Sequence, residues 1–415
     1  MPLKLLHTAD WHLGQLFHEY DRSIEHEAFL NWLVNLLVQK NIDVLLMSGD
    51  VFDVSNPSAA STGLYYSFLR KVTTAVPGLQ IIITAGNHDS PGRLEAPKML
   101  LEAFNISIVG LVQKNADLSI NYDKLILPLK NKTGETKAWC MTIPFLRQGD
   151  YPFIAGSKQP YADGVTKIYM DAYAYALTKK KEGQAIIAMG HLHALNAEPS
   201  DEDKSERVIM GGVEFVPAST FDDGLAYTAL GHIHKAQKVA KKDTIRYAGS
   251  PVPMSFSEIN YKHQVVYVEL EGEMASVIEP IEIPVTVALI RMPAKPKILT
   301  EVLLELEQLP EANNDINTAP YLEVNVLLDT VEPTLKYRIN KALENKHVRL
   351  TRIKPFYKEV ENDADKKHQQ NTNVNEIKPV EMLHSIYKKK FNDELPEELL
   401  NLFNEVIQKL ETPEK

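Results

Sequence analysis

The first quarter of the chain alternates short apolar runs with longer amphipathic segments. The runs LKLLHTAD, DVLLMSGD and QIIITAGNHD have the length and composition of buried strands. Residues 23–40 and 60–76 lie between them and repeat apolar residues at helical spacing, with Phe29, Leu33 and Leu37 on one face of the first segment. This β-α-β-α-β order predicts a parallel sheet whose connecting loops gather at the carboxyl ends of the strands.

From about residue 136 the pattern changes to short strands with fewer helices between them. The runs are AWCMTIPFL, AIIAMGH, LAYTALGHIH, TIRYAGSP and HQVVYVEL. They predict a second sheet that packs against the first. All the polar motifs described below lie before residue 280, and we treat residues 1–280 as one domain.

The remainder of the chain divides into three parts. Residues 281–357 alternate strand-like and helix-like segments, which predicts a small α+β domain. Residues 358–378 are polar without an apolar period, as in a linker. Residues 379–415 predict two short helices that each begin with proline. The second helix carries an apolar stripe that we expect to bind a partner surface, formed by Leu399, Phe403, Val406 and Leu410.

Composition limits the class of protein. With 415 residues, of which 44% are hydrophobic and 24% charged, the chain is globular and too long for a single core. Its one cysteine, Cys140, excludes an intrachain disulfide and indicates a packed core residue in a reducing cytoplasm. We expect neither a signal peptide nor a membrane span. The net charge of −10 argues weakly against a nucleic-acid partner, because carboxylate ligands and an acidic tail also contribute to it.

Polar residues of similar types follow five of the apolar runs. Each pair alone has an ordinary explanation as a cap or a turn, but five such endings in one chain predict a functional site. The residues at these strand ends are Asp10 and His12, Asp50 and Asp53, Asn87, His88 and Asp89, His191 and His193, and His232 and His234.

The residue types at these strand ends indicate metal chemistry. Carboxylate, amide and imidazole groups without thiolate suit octahedral manganese or iron. There are more ligands than one ion needs, so a carboxylate can bridge two ions about 3.5–4 Å apart, which together hold a phosphate oxygen and activate the attacking water. In such a site Asn87 can bind a metal while His88 beside it transfers a proton.

The motifs D-x-H, GDxxD, GNHD and two GHxH, in this order, resemble those of the calcineurin-like metallophosphoesterase superfamily. NHDSPGRL, SERVIMGG and GSPVPMSFSE look like signatures of the SbcD family of bacterial nucleases, the counterparts of the double-strand-break repair nucleases of archaea and eukaryotes. The resemblance covers about residues 1–270. It implies an α/β fold of two packed mixed sheets flanked by helices, followed by a small α+β capping domain and a C-terminal helical hairpin.

The resemblance also implies roles for individual residues. His88 is the expected general acid, and family spacing favours His191 over His193 as a ligand, although the sequence alone leaves this choice open. The expected ligands are Asp10, His12, Asp50 and His234 for one ion, and Asp50, Asn87, His191 and His232 for the other. Residues expected to orient a ligand or to bind phosphate are Asp53, Asp89, Arg93 and His193.

The function that follows from the resemblance is that of a manganese-dependent nuclease that cuts DNA ends, hairpins and single strands in repair, recombination and replication. Members of the family act as homodimers bound to the ABC/SMC-type ATPase SbcC, whose coiled-coil root takes the helical hairpin. The expected location is the cytoplasm, near the nucleoid. Two alternatives are a phosphoesterase for small molecules, such as a cyclic-nucleotide phosphodiesterase or a nucleotidase, and a non-catalytic scaffold for the ATPase. The additional domain argues against the first alternative, and the complete ligand set argues against the second.

Overall fold

The computed structural model describes residues 2–194, 215–312 and 316–357, together with a few separate positions after residue 382. The SERVIMGG motif at 205–212 and the predicted linker at 358–378 lie outside the described residues, as does most of the predicted hairpin, including Val406 and Leu410. Met1–Phe356 forms one compact unit and Tyr357–Lys415 a second. The domain boundary at residue 280 stays a prediction.

The strands and helices are numbered in chain order. The strands are β1 Leu3–Thr8, β2 Leu16–Phe17, β3 Tyr20–Asp21, β4 Val44–Ser48, β5 Gln80–Thr84, β6 Ile106–Val109, β7 Ile126–Lys130, β8 Thr136–Thr142, β9 Ala185–His191, β10 Tyr227–Gly231, β11 Gln237–Lys238, β12 Ile245–Tyr247, β13 Gln264–Glu271, β14 Met274–Glu282, β15 Leu289–Ile298, β16 Tyr321–Leu328 and β17 Arg349–Tyr357. The helices are α1 Ser23–Gln39, α2 Ala59–Ala75, α3 Pro91–Glu95, α4 Lys98–Glu102, α5 Pro160–Lys179, α6 Leu299–Glu307 and α7 Leu335–Ala342. The helices predicted at 23–40 and 60–76 are confirmed to within one residue.

The first sheet has the strand order β14-β13-β1-β4-β5-β6. Strands β1, β4, β5 and β6 run parallel, as the β-α-β-α-β order predicts. The register pairs Thr8 with Met47 and Ser48 with Thr84, so β1, β4 and β5 end at the same edge of the sheet. The loops with the first three polar motifs therefore leave the sheet side by side.

The second sheet has the order β11-β12-β10-β9-β8-β7. Gly231 pairs with His191, which places the two GHxH segments next to each other. The assignment of HQVVYVEL to this sheet is wrong, because that segment is β13 and pairs with β1 of the first sheet. Apolar composition predicts a strand, but it does not say which sheet the strand joins. Strand β13 hydrogen-bonds to β1 along one edge and to β14 along the other.

The two sheets pack face to face and are covered by helices on their outer faces. The layer between them contains Leu5, Val44 and Ile82 from the first sheet and Cys140 and Ile187 from the second, all fully buried. Helices α1 and α2 cover the first sheet, and α5 covers the second. This layering confirms the predicted fold class, and the burial of Cys140 confirms its place in the core. In the described part of the chain, no helix is both long and apolar enough to cross a bilayer.

A three-stranded sheet, β15-β16-β17, follows the two larger sheets, and α6 and α7 pack on it. Its core brings Leu322 and Val324 of β16 against Val302 and Leu306 of α6. Each of these side chains is fully buried, which stabilises the unit by about 1.5–3 kcal/mol per residue. The strands and helices predicted for this part of the chain agree with the structure.

A buried polar network joins this small sheet to the loop that follows β1. The Tyr321 hydroxyl donates to Glu25 at 2.7 Å, and Glu25 also accepts two hydrogen bonds from Arg22, at 2.6 and 3.0 Å. Arg22 in turn donates to Gln15 at 2.8 Å. The Arg349 guanidinium lies 3.9 Å from the centre of the Tyr321 ring. The small sheet is therefore held close to the segment that carries the D-x-H motif.

Candidate metal centre

The polar strand ends of both large sheets meet at one edge of the sandwich. Three clusters of acidic and histidine side chains there have ligand atoms within 4.8 Å of one another: Asp10, His12 and His234; His12, Asp50 and His88; and Asp10, Asp50 and His191. Asn87 and His232 lie against the last of these. The structure thus brings together eight of the residues that the sequence singled out.

Asp50 lies between two groups of candidate ligands. Its Oδ2 atom is 3.2 Å from His191 Nε2 and 3.6 Å from His12 Nε2. Its Oδ1 atom accepts a hydrogen bond from the backbone N–H of His88 at 2.9 Å. One carboxylate thus faces both groups, which is the geometry that a bridging ligand needs.

The first group contains Asp10, His12 and His234. His12 Nδ1 lies 3.3 Å from the Asp53 carboxylate, although it makes no hydrogen bond to any described residue. His12 Nε2 is 3.2 Å from His234 Nε2. Asp10 accepts from the backbone N–H of His232 at 2.8 Å, whereas its buried Oδ2 atom has no hydrogen-bond partner among the described residues. A cation bound between these side chains would satisfy the Asp10 oxygen and the Nε2 atoms of His12 and His234.

The second group contains Asn87, His191 and His232. His191 Nδ1 donates to the carbonyl of Ser48 at 2.9 Å, which leaves the lone pair of Nε2 facing the other way. Nε2 lies 2.9 Å from Asn87 Oδ1, and His232 Nδ1 lies 3.0 Å from the same oxygen. Lone pairs of nitrogen and oxygen that face one another repel unless a proton or a metal ion lies between them. The residues of this group therefore fit a metal ion.

Burial and neighbouring charges shift the pKa values of the candidate ligands. Burial opposes protonation of His191, but the Asp50 carboxylate outweighs it and raises the pKa of this imidazole to about 9. Burial likewise opposes ionisation of Asp50, but His191 and His12 overcome it and lower the pKa of Asp50 below its usual range. Burial raises the pKa of Asp10 and lowers that of His232 well below its ordinary value. A metal ion that binds His191 Nε2 takes the place of the proton there, so metal binding releases protons.

Two glycines let the backbone approach the site. A Cβ atom on Gly49 would lie 2.2 Å from His191 Nδ1, and one on Gly86 would lie 2.1 Å from Asp50 Oδ1. Gly49 also has φ of +83°, a conformation that side chains disfavour. This close packing explains why glycine precedes Asp50 and Asn87 in the motifs.

The backbone is strained at several candidate ligands. Asp10, His12, Asp50 and His232 have φ values of 53°, 45°, 49° and 99°, in the left-handed region that residues with a side chain rarely adopt. Such strain persists only where surrounding contacts hold the chain, and it is concentrated at functional sites.

His88 has a different environment from the candidate ligands. Its Nδ1 donates to the backbone carbonyl of Asp53 at 2.6 Å, so this contact fixes the tautomer. The ring is half-buried and its centre lies 4.8 Å from that of His12. Nε2 is the nitrogen that takes no part in this hydrogen bond.

The four remaining candidates differ in their contacts. Asp89 holds two loops together, because its carboxylate accepts from the backbone N–H groups of residues 51, 52 and 86 at 2.9–3.2 Å, and burial raises its pKa to about 6. Asp53 contacts His12 and His88 as described. The His193 ring packs 4.6 Å from Phe215 and 6.1 Å from His232. Arg93 is exposed on α3.

Comparison with known proteins identifies the family. Residues 3–236, more than half of the chain, match the model of the calcineurin-like phosphoesterases. The chain belongs to the calcineurin-like phosphoesterase family. It is accordingly a metal-dependent phosphoesterase, and the scaffold alternative is set aside. Residues 285–391 of this phosphoesterase match a second model, described as the type 5 capsule protein repressor C-terminal domain.

Several relatives of this phosphoesterase carry the name of the SbcD subunit of the SbcCD nuclease. The Rhodobacter capsulatus protein is 33% identical over 84% of this chain and 86% of its own length. The Escherichia coli K12 protein is 30% identical over 83% of this chain and 82% of its own. The Bacillus subtilis protein is 26% identical over 99% of both chains. The similarity therefore extends well beyond the phosphoesterase motifs.

Sequence reasoning missed two residues beside the phosphoesterase site. The Phe145 ring lies 6.1 Å from that of His191 and 6.4 Å from that of His232, and the Arg147 guanidinium lies 5.3 Å from the Phe145 ring. Both follow β8, the neighbour of β9 in the second sheet. The rule that polar residues after a buried strand indicate a site applied here too, but PFLR contains none of the usual metal ligands.

Proposed function

We propose that this chain is the manganese-dependent nuclease subunit of an SbcCD-type complex and that it cuts DNA ends, hairpins and single strands. The observation that carries this proposal is the Asp50 carboxylate, which faces two groups of metal-ligand side chains with His88 at its side. The relatives named as nuclease subunits support DNA as the substrate class. We propose that the complex acts in DNA repair, recombination and replication, in the cytoplasm near the nucleoid.

The proposed ligand sets follow the two groups described above. Asp50 bridges the ions, and His191 rather than His193 is the ligand because its Nε2 atom is directed at Asn87 and Asp50. One ion is assigned to Asp10, His12, Asp50 and His234, and the other to Asp50, Asn87, His191 and His232.

The ions supply positive charge for the phosphate oxygens and activate the attacking water. The chain itself supplies the proton for the leaving group. His88 is suited to this role because the Asp53 carbonyl holds its Nδ1–H, which directs Nε2 away from that contact. Asp53 thereby positions both the proposed acid and the ligand His12.

Manganese fits the proposed ligands better than a structural zinc ion does. Oxygen and imidazole ligands without thiolate are typical of octahedral sites for harder ions. The single cysteine, Cys140, is buried between the sheets and cannot contribute a ligand.

The proposed function is tested with the purified chain, alone and with its ATPase, on end-labelled duplex, hairpin and circular single-stranded DNA. We expect cleavage with manganese, little with magnesium and none with a chelator. Cyclic nucleotides and nucleoside monophosphates are offered in parallel as substrates of the small-molecule alternative. Hydrolysis of these compounds without any DNA cleavage refutes the nuclease assignment.

The C-terminal part of the chain is the proposed binding site for the ATPase. Leu399 and Leu402 are helical and 42% and 60% exposed, and Phe403 is half-buried. Exposed apolar side chains on a short helix are typical of a segment that docks in a partner's groove. We propose that this face, together with Val406 and Leu410, binds the coiled-coil root of an SbcC-like ATPase.

Replacing Phe403 with glutamate is expected to weaken binding of the ATPase by at least about 30-fold, because a buried charge replaces an aromatic anchor. Manganese-dependent cutting of single strands by the isolated chain is expected to persist. Leu177→Glu, at a half-exposed apolar position on α5, is the matched control. The measurement is co-purification and titration of the two proteins. If a chain that ends at Asn375 still binds the ATPase with wild-type affinity, the assignment is wrong. It is also wrong if residues 1–356 unfold in that truncated chain.

A second apolar surface supports a homodimer. Met99, Leu100 and Phe104, on α4 and just after it, are 87%, 74% and 60% exposed. Adjacent large apolar side chains with this exposure indicate a protein interface. We propose that two copies of the chain associate through this patch.

The double substitution Leu100→Lys and Phe104→Lys is expected to convert the dimer to a monomer, because four like charges then meet across a two-fold interface. The mass of the chain in solution is measured by light scattering during gel filtration. Met274→Lys, at an equally exposed methionine on β14, serves as the control. A wild-type chain that is monomeric at all concentrations, or a double variant that remains dimeric, rules out this patch.

A further inference from the structure

The segment that leaves β8 runs along the edge of the metal centre. Ile143 N–H donates to the carbonyl of Met189 at 3.3 Å, and Phe145 N–H donates to the carbonyl of Ala85 at 2.9 Å. Met189 belongs to the strand that ends in His191, and Ala85 precedes the GNHD loop. The segment is therefore tied to two of the strand ends that build the centre.

Arg147 is held over this edge by contacts on two sides. Its guanidinium lies 5.3 Å from the Phe145 ring, whose other neighbours are the rings of His191 and His232. Its Nη2 atom donates a long hydrogen bond, 3.4 Å, to the backbone carbonyl of Asp89, the residue after His88. An aromatic ring and a carbonyl orient the guanidinium but do not neutralise its charge.

Among the described residues, the Arg147 guanidinium has no anionic partner. Nη1 is buried and has no hydrogen-bond partner within the described parts of the chain, where no carboxylate lies within ion-pair distance of the side chain either. Asp150, the closest acidic residue in sequence, instead accepts the backbone N–H of Arg147 at 2.8 Å and closes the turn. A buried charged donor with an unused N–H group is costly unless something else binds it.

We infer that Arg147 binds a non-bridging oxygen of the substrate's scissile phosphate at the metal centre. The planar guanidinium donates two parallel N–H groups to a phosphate, which suits it to this task better than a point charge. The Phe145 ring packs against the guanidinium, and Asp150 fixes the turn that carries Arg147. This inference rests on the proposed function, because it takes a phosphodiester to be the substrate.

The test uses full-length Arg147→Gln and Arg147→Lys, with Arg70→Gln as a control that removes the same charge from an exposed position on α2. Four quantities are measured on manganese-loaded protein: metal content, thermal unfolding, binding of inorganic phosphate by calorimetry, and kcat/KM on single-stranded DNA and on bis(p-nitrophenyl) phosphate. For Arg147→Gln we expect phosphate binding and both kcat/KM values to fall about 10- to 100-fold, mainly through KM. Metal content and unfolding are expected to match the wild type. Arg147→Lys is expected to recover part of each loss, and Arg70→Gln is expected to behave as the wild type.

The inference is overturned if Arg147→Gln binds phosphate and turns over both substrates as the wild type does. It is also overturned if a loss of metal or of thermal stability in this variant accounts for the defect. A weaker phosphate affinity in Arg147→Gln supports the inference even if the wild-type chain cuts no DNA, because calorimetry does not depend on turnover. The absence of DNA cleavage by the wild type, in contrast, refutes the nuclease proposal alone.

Discussion

Asp50→Asn is expected to abolish DNA cleavage and to reduce the metal content below two ions per chain. Asp50 Oδ2 faces His191 on one side and His12 on the other, so its loss removes an anionic ligand from both proposed ions. The substitution keeps the size of the side chain, and its remaining carbonyl can still accept the N–H of His88. Elemental analysis measures the metal content, and an assay with end-labelled DNA measures cleavage.

The comparison for this prediction is Asp53→Asn. Asp53 touches His12 but belongs to neither proposed ligand set, so its loss is expected to lower metal affinity or activity only about 10- to 100-fold. Two tightly bound ions in purified Asp50→Asn reject the bridging role. So does an equal effect of the two substitutions on metal content.

His88→Gln is expected to retain both ions and to bind DNA, while the cleavage rate falls by about 10²–10⁴. The Nδ1 atom of His88 is occupied by the Asp53 carbonyl, and Nε2 is the nitrogen available for proton transfer. An alkoxide that leaves a DNA phosphate needs this proton, whereas a nitrophenolate leaves without help. Hydrolysis of bis(p-nitrophenyl) phosphate by the same variant is therefore expected to slow much less than DNA cleavage.

The two substrates provide the internal control for His88. Equal losses on DNA and on the nitrophenyl ester argue that His88 positions the phosphate or the metals rather than protonating the leaving group. A fall in metal content in His88→Gln likewise contradicts the assignment. The structure permits that outcome, because His88 lies within ligand distance of His12 and Asp50.

Local pattern predicted the framework of the first sheet. β1, β4 and β5 and the helices α1 and α2 occur where the apolar periods predict them, because each buries one continuous apolar face or run. The parallel order followed from the alternation of strands and helices. Because the strands are parallel, the residues that follow β1, β4 and β5 were also expected to lie together at one edge of the sheet.

The position of β13 could not be predicted in the same way. Its sequence predicts a strand, but its neighbours are β1, more than 250 residues away, and β14. Pairing across such a separation depends on which edge remains open after the other strands have assembled, and local pattern does not contain that information.

The sequence by itself determined which residue types stand at the ends of the strands, and with them the metal chemistry. The need for glycine at Gly49 and Gly86 came from the structure, where a Cβ atom would meet His191 or Asp50. Only the tertiary structure decided which atoms face one another. It directs His191 Nε2 at Asn87 and Asp50, sets His193 against Phe215, and leaves Arg147 at the edge of the site with no carboxylate from the described residues. Residue type and spacing are properties of the chain, whereas the direction of a lone pair and the surroundings of a charge arise from the packing of strands that are far apart in sequence.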